Sequence, residues 1–400
     1  MFLEERRNQI LNYLDEHERA TVDTLSGLFS VTRETIRSDL GALAKKGLVQ
    51  RCHGGAIIVR RNMQAKLIGE SGGHFEVLLQ RLEQQRQHRS QGKKMRGNVC
   101  ILGSFNVDIV AKVDRFPKGG ESLLATASTL GPGGKGANQA MAASRAGARV
   151  HFVAKVGTDQ FSQFAFDHLS ASDIHSFRLY QSEVAPTGSA IIYVSQQDGE
   201  NMIAIYPGAN KTLSDDEIAE MTHELSQADV LLVQLENNFP ATLNAIKLAH
   251  TLGVKVVMNP APYASEVVDL LPYIDVLTPN ETEASLLSGI DIIDISSARE
   301  AARTIIERGA QRVIITMGSR GALIADSDQY KHIPAFPAVS IDTTGAGDAF
   351  NGAFAAAIAN GKTIIQAATY AAAFASLAVE REGASNMPTH EQVAIRLAQR

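Results

Sequence analysis

From Asn98 onward the chain alternates short apolar runs with helical stretches, and this alternation leaves few folds open. The runs VCILGS, VHFVAKV, VLLVQL, VKVVMN, IDVLTP and RVIITMG are rich in Val and Ile, and most are bounded by Gly, Pro or Asn. Such runs suit strands buried on both faces, and stretches such as Ala241–Thr251 and Ala298–Arg308 supply the crossovers. The pattern predicts a three-layer α/β/α sandwich over residues 98–400, with a parallel sheet between helices. Two segments break the rhythm, Glu121–Leu130 and Gly188–Ile205. Both alternate apolar with polar residues, as a half-exposed antiparallel sheet does. They predict a small β-sheet lid over the mouth of the main sheet, drawn from about residues 106–131 and 187–210.

Residues 1–59 read differently, as three short helices and a hairpin. Ile10, Leu11 and Leu14 form one helical face, and Val22, Leu25 and Leu28 a second. Ser30 or Thr32 caps a third helix through Ile36, Leu40 and Leu43, which Gly47 ends. LVQRCHGGAIIV then alternates like a two-stranded wing with a glycine turn. Between the two regions, residues 60–97 are polar and rich in Gln and Arg. A short helix over His74–Gln87 would carry Phe75, Leu78, Leu79 and Leu82, and reads either as part of a linker or as a dimerising helix.

Charge separates the two regions as well. Residues 1–98 hold 17 basic and 11 acidic side chains, a net of +6, while the remainder nets −11. A basic front implies a phosphate-bearing partner that the acidic rear does not share. Cys52 and Cys100 are too few for a disulfide framework and lack metal-ligand spacing, which favours a reducing cytoplasm. The start MFLEERRNQIL has acidic residues where a signal peptide needs a basic start and an apolar core. No apolar run approaches the length of about 20 residues that a membrane span needs, so no membrane partner is expected.

The helix over Thr32–Leu40 leaves Thr32, Arg33, Thr35, Arg37 and Ser38 off its buried face, placed to meet base edges and phosphates in a major groove. Arg51 and His53 on the wing would contact the backbone. Helix pattern and HGGA wing together resemble the DeoR-type regulators over about 55 residues. That resemblance implies a winged helix-turn-helix and a double-stranded operator read by a homodimer. Taken alone, the same stretch also reads as a small helical domain with solvated charges.

No GxxxxGK[ST] loop is present, so a phosphate would have to be held another way. Asp342-Thr343-Thr344-Gly345-Ala346-Gly347-Asp348 is a small-residue turn leading into the apolar run Ala349–Ala359, most simply a buried helix. The N–H groups of Gly345, Ala346 and Gly347 would then face outward at a helix N-terminus, where the dipole favours an anion. Asp348 beside them could take the proton of an attacking hydroxyl. An Asp-capped helix after a glycine turn is the plainer reading of these residues alone. A second glycine-rich turn, Gly131-Pro132-Gly133-Gly134-Lys135-Gly136-Ala137-Asn138, opens another helix, with Lys135 and Asn138 suited to sugar hydroxyls. Asn106 and Asp108 follow the first strand, where open parallel sheets bind ligands.

These motifs, in this order, resemble the two signatures of the ribokinase/fructokinase (PfkB-type) sugar kinases from about Val99 to Pro388. The resemblance implies ATP-dependent phosphorylation of a sugar, most closely a pentose such as D-ribose, with Asp348 as base and Gly345, Ala346 and Gly347 as anion hole. By the same resemblance Asn106, Asp108, Gly134, Lys135, Asn138 and Glu236 bind the sugar. Asn280 and Glu283 form an NxxE motif that orders Mg²⁺ through water, and Asn280, Thr316, Gly318, Ser319, Arg320, Gly321 and Gly347 hold the nucleotide. Asp342, Thr344, Ala378, Arg381 and Gly383 form a monovalent-cation (K⁺) site, with Ser385 or Asn386 as its last ligand. Ala372 stands where the family usually places His or Asn near the adenine. A regulator that uses the same domain only to sense sugar would have no need of Asp348.

Overall fold

The computed structural model describes residues 3–17, 19–45, 49–52, 54–58, 73–86 and 97–399. They divide into two compact units, the first Met1–Ser71 with Phe166–Ala171 and the second Gly72–Ala165 with Ser172–Arg400.

The first unit runs α1 (Leu3–His17), β1 (Arg19–Thr21), α2 (Val22–Phe29), α3 (Arg33–Lys45), β2 (Val49–Cys52) and β3 (Gly55–Ile58). Ile10, Leu14, Leu25, Ile36, Leu40 and Leu43 meet in one apolar core, as the helical spacing requires. Leu28 does not join them. It is 54% exposed, and Phe29 packs on the core instead. Thr32 caps α3 by accepting the Thr35 N–H at 3.2 Å, whereas Ser30 closes α2 in the left-handed conformation. The wing has three strands rather than two, in the order β1-β3-β2. A three-residue strand such as β1 carries too little alternation to be read from sequence. Asp39 is buried on α3 and clamped by Arg6 at 2.6 Å and Arg7 at 2.9 Å, both from α1. Such a pair fixes two helices in one register, and removing either side strands a buried charge.

The second unit opens with α4 (Gly73–Arg86). Its sheet strands are β4 (Asn98–Leu102), β7 (Arg149–Val156), β8 (Ser176–Gln181), β11 (Val230–Val233), β12 (Lys255–Met258), β13 (Val276–Leu277), β14 (Val313–Thr316), β15 (Ala322–Ala325) and β16 (Tyr330–Ile333). They lie in the order β16-β15-β14-β13-β12-β11-β4-β7-β8. From β8 to β14 every pairing is parallel; β15 and β16 are antiparallel additions at one edge. The wholly parallel expectation fails only there, because a hairpin needs no crossover. All four residues of β11 are buried, so both faces of the sheet are covered. The covering elements include α5 (Lys135–Arg145), α9 (Phe239–Leu252), α11 (Ile295–Glu307), α12 (Ala346–Ala359) and α13 (Ile364–Ala378). Helices α6 (Gln160–Ala171), α7 (Asp215–Glu220), α8 (Thr222–Gln227), α10 (Glu281–Ser288) and α14 (His390–Ala398) complete the order, the last turns of α6 falling to the first unit.

The lid is a separate four-stranded sheet, β10-β9-β5-β6, formed by β5 (Asn106–Val113), β6 (Ala127–Gly133), β9 (Gly188–Ser195) and β10 (Asn201–Tyr206). It is not antiparallel throughout, since β5 and β9 pair in parallel. Every residue of β10 is exposed.

The segment that reads as linker or dimerising helix contains α4, and α4 packs within the second unit. Phe75 and Leu79 join the core formed with Ala245, Leu248 and Ala249 of α9, while Leu78 and Leu82 lie against it. The rest of residues 60–97 lies outside the described residues, apart from Gly97, as does Gln87. Phe75 is 6% exposed. Replacing it with Ala should therefore destabilise this unit by about 3 kcal/mol, read as an earlier urea midpoint with the slope retained.

Candidate active site

The polar residues singled out in the second unit follow strand ends or open helices, and Asp348 lies at their centre. It sits in the first turn of α12, 6% exposed. The turn above it is bare. Gly345 is the N-cap with φ 77°, no side chain caps the helix, and a Cβ at Gly345 would come within 2.8 Å of Ala384. Of the three amides assigned to an anion hole, that of Ala346 is engaged by the Thr343 carbonyl at 3.2 Å. The expected anion hole thus has one of its three amides turned to a carbonyl of the same turn, and Gly347 is exposed. Beneath the turn, Asn138 Nδ2 donates to Asp348 Oδ2 at 3.2 Å and Gln139 Nε2 to Oδ1 at 2.9 Å.

Three strand ends supply the other polar groups. Asn106 begins β5, and its Oδ1 accepts from Asn210 Nδ2 at 2.9 Å. Asn210 also holds the Phe105 peptide by its N–H and carbonyl, both at 3.1 Å. Burial, then the neighbouring Glu236 charge, pushes the Asp108 carboxyl up to about 6. Glu236, after β11, accepts the Lys135 N–H at 3.0 Å and the Ser104 hydroxyl, so it serves the start of α5, whose N-cap Gly134 offers no side chain. The Asp348 charge foremost, with Glu236 and Glu283, raises the Lys135 ammonium above its ordinary range against the opposing effect of burial. Asn138 Oδ1 is a buried acceptor without a hydrogen-bond partner among the described residues.

Asn280 and Glu283 are joined in a capping box at the start of α10. Asn280 Oδ1 accepts the Glu283 N–H at 2.8 Å, and Glu283 accepts the Asn280 N–H at 2.9 Å. The NxxE residues thus build the helix start itself, and the rest of the site acts on Glu283. Burial raises its carboxyl; Lys135 opposes this and Asp348 adds to it. Asn280 bridges to Thr316, and Gly318–Arg320 form a single 3₁₀ turn. Arg320, expected to contact the nucleotide, bonds to Glu281 and the Ile293 carbonyl, tying this turn to α10. Asp342 accepts the Thr344 N–H at 2.8 Å and the Gly383 N–H at 2.9 Å. Burial pushes its carboxyl up, but these bonds outweigh burial and leave it below the ordinary range. The Ala378 carbonyl accepts the Arg381 N–H at 3.1 Å. The clamp joins the loop before α12 to the one after α13. No group of three or more His, Cys, Asp or Glu side chains suited to a metal occurs among the described residues.

Sequence reasoning missed Asn210, which lies in a lid return with no pattern of its own. It also passed over Gln139, although two successive amides at the start of an Ala-rich helix were a usable signal.

In the first unit Thr32, Arg33, Arg37 and Ser38 are exposed on α3, and Thr35 is half-buried. Arg33 pairs with Asp23 at 2.6 Å and Arg37 with Glu34 at 3.1 Å, exposed contacts that a phosphate can replace. Arg51 lies along α3, with Nη1 at 3.8 Å from where a Gly41 Cβ would be. His53 lies outside the described residues.

Comparison with known proteins agrees with both halves. A pfkB family carbohydrate kinase model matches residues 96–391, and a DeoR-like helix-turn-helix domain model matches residues 6–62. A ribokinase of Haemophilus influenzae is 37% identical over 74% of this chain and 97% of its own length. A deoxyribokinase of Salmonella typhi is 35% identical over 74% and 97%. The structure of Arabidopsis thaliana ribokinase complexed with ribose and ATP, 30% identical, superposes with a TM-score of 0.69 over 76% of this chain and 99% of that one. No helix among the described residues is long and apolar enough to cross a membrane. With a DeoR-like helix-turn-helix domain at its front, the chain belongs to the pfkB family of carbohydrate kinases.

Proposed function

We propose that residues 98–400 transfer the γ-phosphoryl group of ATP to a pentose, most closely the 5-hydroxyl of D-ribose, and that residues 1–59 bind a DNA operator as a homodimer in the cytoplasm. The observation that carries the kinase reading is a buried carboxylate beneath an uncapped helix tip. Asp348 takes the proton of the attacking hydroxyl while the Gly345 and Gly347 amides hold the charge on the transferring group. Asn106, Asp108, Lys135 and Asn138 orient the sugar, and the unpartnered Asn138 Oδ1 is a ready acceptor for one of its hydroxyls. Glu283, buried between Lys135 and Asp348, suits a Mg²⁺ ion held through water with Asn280. When bound, that ion neutralises charge on the phosphates. A monovalent cation such as K⁺ at Asp342, Thr344, Ala378, Arg381 and Gly383 would stiffen the turn that Asp342 already clamps.

Ribose is favoured over 2-deoxyribose because a site with this many polar groups loses hydrogen bonds when a hydroxyl is missing. In a coupled assay, turnover with ribose should exceed that with 2-deoxyribose at equal low concentration. Asp348→Asn should lower turnover about a thousandfold with ribose binding retained by calorimetry; undiminished turnover removes Asp348 from this role.

The raised Asp108 carboxyl gives a pH signature. Above pH about 6 it is ionised and accepts from the sugar; below, it is protonated and loses that role. KM for the sugar should rise about tenfold between pH 7 and pH 5, and Asp108→Asn should flatten the profile at the higher KM.

The DNA-binding and kinase functions meet in regulation: sugar or nucleotide closes the lid, alters dimer geometry and changes operator affinity. A gel-shift titration with and without ribose and nucleotide should show a change of several-fold. Identical curves would separate the two activities.

A further inference from the structure

We infer that Gln139 is a positioning residue for Asp348, the last donor in a buried side-chain relay that sets which carboxylate oxygen meets the sugar alcohol. The inference rests on the kinase reading and extends it.

Gln139 is fully buried on α5. Both hydrogens of its Nε2 are used, one on Asp348 Oδ1 at 2.9 Å and one on Asn259 Oδ1 at 3.1 Å. Its Oε1 accepts from Gln234 Nε2 at 2.7 Å. The polarity of this chain is decided outside it. Asn259 Nδ2 donates to the Thr278 carbonyl at 3.1 Å, and a carbonyl can only accept. Asn259 must therefore turn its oxygen toward Gln139, and Gln139 must answer with its NH₂. Rotating the Gln139 amide by half a turn would set oxygen against Asp348 and Asn259 and leave two acceptors unsatisfied in a dry interior. The NH₂ is thus held on Asp348 Oδ1, and the Asp348 carboxylate cannot rotate without breaking that bond.

The relay also reaches the anion-binding turn. The Thr278 hydroxyl bonds to Asn351 Oδ1, and Asn351 Nδ2 donates to the Gly347 carbonyl at 2.9 Å. Base and turn are consequently referenced to the same strand ends, those of β11, β12 and β13. A misplacement near 1 Å at the reacting atoms is enough to cost about 100-fold in rate, so a fixed reference matters.

Gln139→Met keeps length and buries no polar group. We expect kcat to fall about 10- to 100-fold, with KM for sugar and for ATP within about threefold of wild type and calorimetric sugar affinity retained. Gln234→Met, which leaves the contact to Asp348 and removes only its anchor, should lower kcat by a smaller factor with the same split. If both variants keep kcat within about twofold, or if KM and sugar affinity worsen in step with kcat, Gln139 is a packing residue and the inference fails. Should Gln139→Met fail to fold, Gln234→Met decides alone by the same criterion. Wild-type protein without turnover on any sugar, or Asp348→Asn with full turnover, would instead defeat the kinase reading beneath it.

Discussion

Two helices of the second unit touch backbone to backbone, and the site depends on that contact. A Cβ at Gly352 of α12 would lie 2.3 Å from the Gln139 carbonyl oxygen and 2.6 Å from Ala142 Cβ of α5. Any larger residue would push the helices apart. Asn138 and Gln139 have short reaches, so an opening of even an ångström would withdraw both amides from Asp348. The Ala-rich sequences of α5 and α12 are thus less a matter of helix propensity than of approach distance. Small residues buried on both helices let side chains three or four atoms long carry the polar geometry.

Negative charge gathers near Lys135, and Glu236 acts on Lys211 as well. Asp108, Glu236, Glu283 and Asp348 all come from different elements, and Lys135 feels the last three. Burial raises Asp108 and Glu283, so the site carries acids that would gain from further positive charge or from hydroxyl donors. A polyol brings donors and a divalent ion brings charge. The site is therefore built for ligands that complete it, and its preorganised frame of amides and backbone limits what must move when they arrive.

The sequence was informative where a local pattern forces a structure and silent where geometry joins distant residues. Glycine turns before helices at Gly134 and Gly345 were legible, because an amide-rich tip follows from the residues themselves. The strand runs were legible for the same reason, down to VLLV being buried at every position. Edge strands β15 and β16 were not, being four residues each with no crossover to announce them. The Asp39 clamp by Arg6 and Arg7 was invisible, as nothing local distinguishes a buried acid on an exposed-looking helix face. Arg320 shows another limit: a basic residue in a nucleotide-like loop reads as a phosphate contact, and its acidic neighbour across the fold, Glu281, has no local signal. Motif reading gives residue types, and only tertiary placement says which charges are already matched.

The docking of α4 gives the proposed regulation a physical route at its kinase end. Phe75 and Leu79 seat α4 on α9, and Asn238, the residue before α9, lies two beyond Glu236. The same Asn238 side chain holds the Leu213 peptide by its N–H at 3.1 Å and its carbonyl at 2.9 Å. Lys211, two residues earlier, bonds the carbonyls of Leu235 at 3.3 Å and Asn237 at 2.8 Å. Asn210 then grips Asn106. From the Asn106 amide to α4 there is thus a series of hydrogen bonds, chain neighbours and packed apolar contacts, all within one unit. A rigid series of this kind transmits a shift only if one of its members has two stable positions. The lid return carrying Asn210 is itself buried and fixed to Phe105, Asn106 and Pro207, and the exposed member beside it is β10. Within the second unit α4 is thus joined, through α9 and the lid return, to Asn106 at the start of β5.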